Sequence, residues 1–371
     1  MNKSSKSTKE LTIAIVSGDG IGPEIVKEGL KIIKVVLDKN EVTRAKFVEA
    51  PAGAEVYRKT GVAFPEESQN ICYNADAIFM GATGYPNVKL PDGTVISISW
   101  NIKKHFPLYV SLRPVTLFHE NLSRLKNKKA DEINYLLVRE NTEGAYSSRG
   151  SGVKVRDEIV INNMVFTRKA IERVMKISFE YARKSKGAPL DGRKRVTCVD
   201  KSNVLAGYAF FRKIFDEIGK NFPDIEKDYC FIDAITANLV QRPEFYNVIV
   251  AENMQADILT DLGAGIVGGL GLAASANIGG GKAMFESVHG FAPDIAGKNI
   301  ANPIATILSG SMMLDWLSNE KKEPSFKKAS KLIDKAVRKV LAKGSVRTKD
   351  MGGSATTIQM GDAIAREIKR L

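Results

Sequence analysis

No stretch of this 371-residue chain stays apolar for long. Its hydrophobic runs are broken by glycine or charge well short of the ~18–20 residues that a membrane-spanning helix needs. Cysteine is scarce. Cys72, Cys198 and Cys230 are the three present, widely spaced and without a Cys-x-x-Cys pair. That excludes a disulfide framework and a zinc–thiolate site, and it suits a reducing compartment, here expected to be the cytoplasm. Histidine is as rare, with three residues and no His-rich cluster for a metal. Internal repeats and low-complexity linkers are absent too. Residues 1–10 are Ser/Lys-rich without an apolar core. They read as a flexible tail and not as a secretory signal, although their acid-poor character leaves an organellar address open.

What remains is ordinary for a soluble globular protein: 44% hydrophobic, 26% charged, and long enough for two lobes with real cores. The net charge of +13 is less ordinary. Its lysines are dispersed, and many share a helix with an apolar stripe. Over residues 327–343 that stripe is Ala329, Leu332, Ile333, Ala336, Val337, Val340 and Leu341. A solvated basic face accounts for these lysines, and the positive field would steer anionic ligands. A nucleic-acid surface would interleave stacking aromatics with the basic residues, and none does.

Strand-like and helix-like segments alternate, which predicts an α/β protein. Strands are expected over 11–16, 77–80, 133–138, 195–199 and 248–250, and helices from Pro23 and over 168–184 and 205–220. The turn Gly18-Asp19-Gly20-Ile21-Gly22 follows a strand and precedes a helix, but its spacing is Gly-x-Gly-x-Gly. No acidic residue ends a second strand some 20 residues on, so it is not a dinucleotide-binding Rossmann turn. The glycines serve a tight turn and close backbone packing.

Asp257 and Asp261 are four apart in the segment 253–261, which leads into the glycine-rich stretch Gly263 to Gly281. On a helix both carboxylates share one face, ~5–6 Å apart at Cβ. Two hard oxygen ligands on one face suit Mg²⁺ or Mn²⁺. Alone, such a pair is as readily a solvated acidic patch. It is not alone: Ser17 to Glu24, Leu112-Arg113-Pro114, Arg139 to Gly144, Asp200 to Val204, Phe285 to Gly290 and Ala292 to Lys298 occur with it in sequence. In that order these motifs resemble those of the isocitrate/isopropylmalate dehydrogenase family, the metal-dependent β-decarboxylating dehydrogenases, from Ile13 to about Leu317.

The resemblance implies a two-lobed fold with a mixed sheet flanked by helices. Residues 11–110 and 265–371 would form a large, NAD-binding lobe, and 111–264 a small lobe that makes a homodimer, possibly a tetramer. Each active site would draw on both subunits. It further implies metal ligation by Asp257, Asp261 and the other subunit's Asp233, Lys201 as the base, and Tyr146 as the acid that reprotonates the enolate. Arg113, Arg139, Lys103 and Ser97 would hold the substrate carboxylates. Lys103 stands where the family generally has an arginine, giving charge without the bidentate fork. Asn203 would neighbour the nicotinamide.

Glu286, His289, Gly290, Ala292, Asp294 and Asn302 would line the adenosine side of the cofactor. Asp294 can accept from both ribose hydroxyls and would repel a 2′-phosphate, which predicts NAD over NADP. The implied reaction is NAD-dependent oxidative decarboxylation of a C3-substituted malate, leaning to the 3-isopropylmalate type on account of Trp100 and Val204 as an apolar wall. Isocitrate, homoisocitrate, tartrate and D-malate types are alternatives, as is a non-catalytic regulatory subunit.

Overall fold

The computed structural model describes residues 10–42 and 44–371. The expected tail therefore lies almost wholly outside the described residues. The strands are β1 (Leu11–Val16), β2 (Ala45–Glu49), β3 (Ala77–Met80), β4 (Val110–Thr116), β5 (Asn134–Glu140), β6 (Val153–Val155), β7 (Ile159–Ile161), β8 (Arg195–Asp200), β9 (Glu226–Phe231), β10 (Val248–Ala251), β11 (Ala274–Gly279) and β12 (Lys282–Ser287). The helices are α1 (Gly22–Lys39), α2 (Ala54–Thr60), α3 (Glu66–Asn74), α4 (Ile98–His105), α5 (Arg168–Lys184), α6 (Ala206–Gly219), α7 (Ile232–Gln241), α8 (Asn253–Val267), α9 (Ile304–Glu320), α10 (Pro324–Lys343) and α11 (Thr357–Arg370).

Ten strands make one mixed sheet in the order β2-β1-β3-β12-β11-β4-β5-β10-β8-β9, and β6 and β7 form a separate ribbon. The wings are parallel, and β3, β8 and β10 are buried along their whole lengths, as parallel strands covered on both faces must be. The centre is antiparallel: β12 with β11, β11 with β4, and β4 with β5. Gly280 and Gly281, at φ +58° and +74°, turn β11 into β12. Two consecutive positive φ values are what a tight two-residue hairpin requires. The expected mixed sheet is borne out, but β11 and β12 at its antiparallel centre were not among the expected strands, because they sit in or beside the glycine-rich stretch.

Amphipathic helices close the wings. Helix α1 buries Ile25, Val26, Ile32, Ile33, Val36 and Leu37, and α10 buries the expected stripe except Leu332, which is half-buried. Element boundaries moved by a residue or two. The strand expected over 133–138 runs to Glu140, and so takes in Arg139. Gly18 and Gly20 hold φ +77° and +60°, and a Cβ on either would lie 2.0 Å from the carbonyl oxygens of Ala82 and Phe291 respectively. Between them the buried Asp19 carboxylate accepts hydrogen bonds from the backbone N–H groups of Ala54 (2.8 Å), Glu55 (2.9 Å) and Gly84 (2.6 Å). The turn is therefore a packing junction. Among the described residues no helix is long and apolar enough to cross a membrane.

Candidate active site

Helix α8 begins where β10 ends. Its N-cap is Glu252, whose carboxylate accepts from the N–H groups of Met254 (3.1 Å) and Gln255 (3.3 Å). That satisfies two of the helix's orphan donors and fixes the first turn. One turn in stands Asp257. Its Oδ1 receives Arg113 Nη1 at 2.7 Å and is also paired with Arg139 Nη1, while its Oδ2 accepts from Tyr146 Oη at 3.1 Å. The arginines come from neighbouring strands, Arg113 on β4 and Arg139 on β5, and both are nearly buried. Arg139 is braced by Asn253, whose Oδ1 accepts from its Nε at 2.8 Å. It also lies over the Tyr146 ring, 5.6 Å from the centroid.

The electrostatics follow from this packing. Burial pushes the Asp257 carboxyl up, but Arg139, Arg113 and the Tyr146 hydroxyl outweigh it and hold the group below the ordinary carboxylate range. Asp261, one turn further, is pushed up by burial and then by the Asp257 charge. Burial and the Asp257 charge also raise Tyr146, which keeps its proton. The pair Asp257 and Asp261 fits a divalent cation: both are hard oxygen donors, and a cation would relieve their mutual repulsion. The set is incomplete, however. Among the described residues no three His, Cys, Asp or Glu side chains gather as a metal site.

The missing carboxylate stands apart. Asp233 is in the first turn of α7, and its Oδ1 pairs with Lys201 Nζ at 2.6 Å. Lys201 holds the Asp233 carboxyl below its usual range. Next to them Asn203, Val204 and Leu205 are exposed, Val204 at 65%. Lys201 and Asp233 are thus brought together, and Tyr146, Asp257, Arg113 and Arg139 are brought together. Within one chain the two groups share no hydrogen bond or ion pair.

A cavity of about 430 Å³ opens beside the arginines, lined by Ser97, Trp100, Lys103, Tyr146 and Arg149 among others. Ser97 is the N-cap of α4, its Oγ accepting from Trp100 N. The strength of α4 as a short helix depends on it. Lys103 Nζ donates to Asn141 Oδ1 at 3.3 Å. Burial lowers Lys103 to about 8; Glu286 pulls it up, and Arg139 and Arg113 push it down. Glu286 itself accepts from Asn277 Nδ2 (2.9 Å) and Ser99 Oγ (3.2 Å).

The segment after β12 carries the remaining expected residues. Asp294 is exposed in a short turn, and its carboxylate makes no hydrogen bond among the described residues. It is therefore not spent as a cap. The His289 Nδ1 lies 3.0 Å from the Gly290 carbonyl, while its buried Nε2 has no partner, a polar atom left for a ligand. Ala292 sits at φ +38°, a left-handed conformation rare for a residue with a side chain, and so a locally strained loop. Asn302 is engaged within the protein: its Oδ1 accepts from Ile304 N (3.0 Å) and its Nδ2 donates to Asp350 (3.0 Å). His289 Nε2 and the Asp294 carboxylate are thus the polar groups of this segment left open to a ligand.

Four contributors were missed by sequence reasoning. Glu252 and Asn253 precede the recognised aspartates, and a cap residue at that junction could have been looked for. Arg149 stacks over Trp100 at 5.2 Å, and Asp350 buttresses Asn302 from 48 residues away. Those contacts are long-range and leave no local pattern.

A cleft with paired arginines, carboxylates one helical turn apart and a proton-bearing tyrosine defines a protein that handles small polycarboxylate acids. The chain belongs to the isocitrate/isopropylmalate dehydrogenase family, whose model matches residues 12–364. It is 39% identical over 367 residues to the 3-isopropylmalate dehydrogenase of Carboxydothermus hydrogenoformans, covering 96% of this chain and 94% of that one. It is 38% identical over 369 residues to the decarboxylating D-malate dehydrogenase of Escherichia coli (98% and 99% covered). It is also 38% identical over 371 residues to the homoisocitrate dehydrogenase of Methanocaldococcus jannaschii (97% and 98% covered). Among solved structures, isocitrate dehydrogenase from Methylococcus capsulatus superposes with a TM-score of 0.84 at 34% identity, covering 97% of this chain and 99% of that one.

Proposed function

We propose that this chain is an NAD- and Mg²⁺- or Mn²⁺-dependent dehydrogenase that oxidises the C2 hydroxyl of a C3-substituted malate, decarboxylates the resulting β-keto acid and reprotonates the enol. The observation that carries the reading is Asp257, held at once by Arg113, Arg139 and Tyr146 Oη. When the substrate binds, Arg113 and Arg139 pair with its carboxylates, as planar guanidinium donors do best. Lys103 adds a third cation on the same side. Tyr146 holds its proton next to the reacting carbons and delivers it to the enolate. Lys201 takes the hydroxyl proton. A bound nicotinamide would supply a hydride acceptor, and Asp257 and Asp261 would hold a divalent cation whose chemistry would be to acidify the hydroxyl and stabilise the enolate.

We infer that Lys201 and Asp233 complete this set from a second copy of the chain, since within one chain they pair with each other. The exposed Val204 and Leu205 beside them, and the exposed apolar ribbon of β6 and β7, support a homodimer with shared sites. We assign the lobes as residues 11–110 with 265–371, and 111–264. A 3-isopropylmalate-type substrate is the first choice, since Trp100 offers a large apolar ring in the cavity.

The test is reduced-nicotinamide absorbance with Mg²⁺ or Mn²⁺, running 3-isopropylmalate, isocitrate, homoisocitrate, D-malate and tartrate in parallel with NAD and NADP. Turnover of one acid with NAD, abolished by chelation, is expected. Silence on all five with cofactor bound refutes an enzyme acting on these malates.

A further inference from the structure

The central sheet has a second cleft, on the face opposite the arginines. Successive strand residues point to opposite faces. Arg113 turns toward α8, so Leu112 and Pro114 turn away from it, and Leu112 lies level with Ala276 of β11. On that far face α5 covers one wing, while α9, backed by α10, covers the other. Between them a cavity of about 650 Å³ remains, within the range of small-molecule sites. Its floor is low because Ala276 and its neighbour Ala274 carry so little side chain. Met312 and Trp316 of α9 wall one side, and Tyr181 of α5 the other.

The rim is basic. Lys327 is neutralised by Asp315, and Arg338 by Asp131. Asp334 accepts from Ser311 Oγ at 2.7 Å, and burial raises its carboxyl toward the neutral form. Lys184 and Lys186 on the α5 side, and Lys331 on α10, are exposed and carry no ion pair among the described residues. An apolar trough with unpaired ammonium groups at both edges is complementary to one kind of molecule. We propose that this cleft binds a carboxylate with an apolar body, the body against Trp316 and Met312 and the carboxylate at the lysine rim. Such a ligand touches both wings of the sheet at once. It therefore restrains their relative rotation and lowers turnover without occupying the active site.

The chain has two tryptophans, so Trp100→Phe leaves Trp316 as the sole tryptophan, inside the proposed site and excited selectively over tyrosine. The probe is 4-phenylbutyrate, with 4-phenylbutan-1-ol as its uncharged match. A saturable change in Trp316 emission is expected with the carboxylate. Binding should be about tenfold weaker for the alcohol and for the double variant Lys184→Glu/Lys331→Glu, the scale of losing and reversing exposed charge contacts. In the otherwise unaltered enzyme 4-phenylbutyrate should depress kcat without raising KM for the malate. No saturable change, or one shared equally by the alcohol and the reversed-charge variant, overturns the site. Competition with the malate would place the ligand in the front cleft and overturn it as well.

Discussion

Lys103 sits in the cleft with its ammonium lowered to about 8 by burial, between Glu286 and the two arginines. At pH 7 it is then about nine-tenths charged, and at pH 9 about one-tenth, from the same shift. If its charge contacts a substrate carboxylate, that contact is worth ~1.5–3 kcal/mol, or about 10- to 100-fold in kcat/KM. The profile of kcat/KM against pH reports groups of the free enzyme. It should fall through an inflection near pH 8 and level off once Lys103 is neutral. Tyr146 does not interfere, because burial and Asp257 raise it above its usual range. The decisive comparison is Lys103→Arg, whose guanidinium stays charged throughout. Its alkaline limb should vanish, with kcat/KM at neutral pH kept within a few-fold. A wild-type profile flat to pH 9.5, or an identical limb in Lys103→Arg, refutes a substrate-binding role for this cation.

Three further outcomes are expected. Lys201→Met and Tyr146→Phe should each abolish turnover with NAD binding retained, yet co-refolding them in equal amounts should restore about a quarter of wild-type activity. Half the dimers are then mixed, and each has one intact site; no recovery refutes sites shared between subunits. Asp294→Lys should weaken NAD use and admit NADP, read as the ratio of kcat/KM values; an unchanged ratio puts the adenosine site elsewhere. Glu252→Ala should cost about 2–3 kcal/mol in chemical denaturation, since it uncaps α8 and strands the Tyr208 hydroxyl and the Ala145 N–H; a loss under ~0.5 kcal/mol would show that water caps the helix as well.

Sequence alone disclosed whatever is encoded over one or two turns or a single strand. The apolar stripe of α10, the four-residue spacing of Asp257 and Asp261, and the glycine junction after β1 are all of that kind. It did not disclose what depends on register between distant segments. The antiparallel centre of the sheet is set by pairings such as Leu112 with Ala276 and Arg113 with Leu137, and no local periodicity encodes them. The spacing of the aspartates gave no hint that Asp257 is already engaged by two guanidiniums. Ser97 reads in sequence as a hydroxyl for substrate, and its service as the α4 cap emerges only once the helix is seen to begin at Ile98.

The engagement of Asp257 makes ligand uptake an exchange of partners. Arg113 and Arg139 are not vacant receptors for an acid, because each already gives its Nη1 to a resident carboxylate. An acid that takes the two Nη1 donors displaces Asp257, and Asp257 that turns to a cation gives up two buried guanidiniums. When both arrive, every charge changes hands and none is left over. The acid and the cation should then bind with mutual dependence, each tightening the other by the same factor.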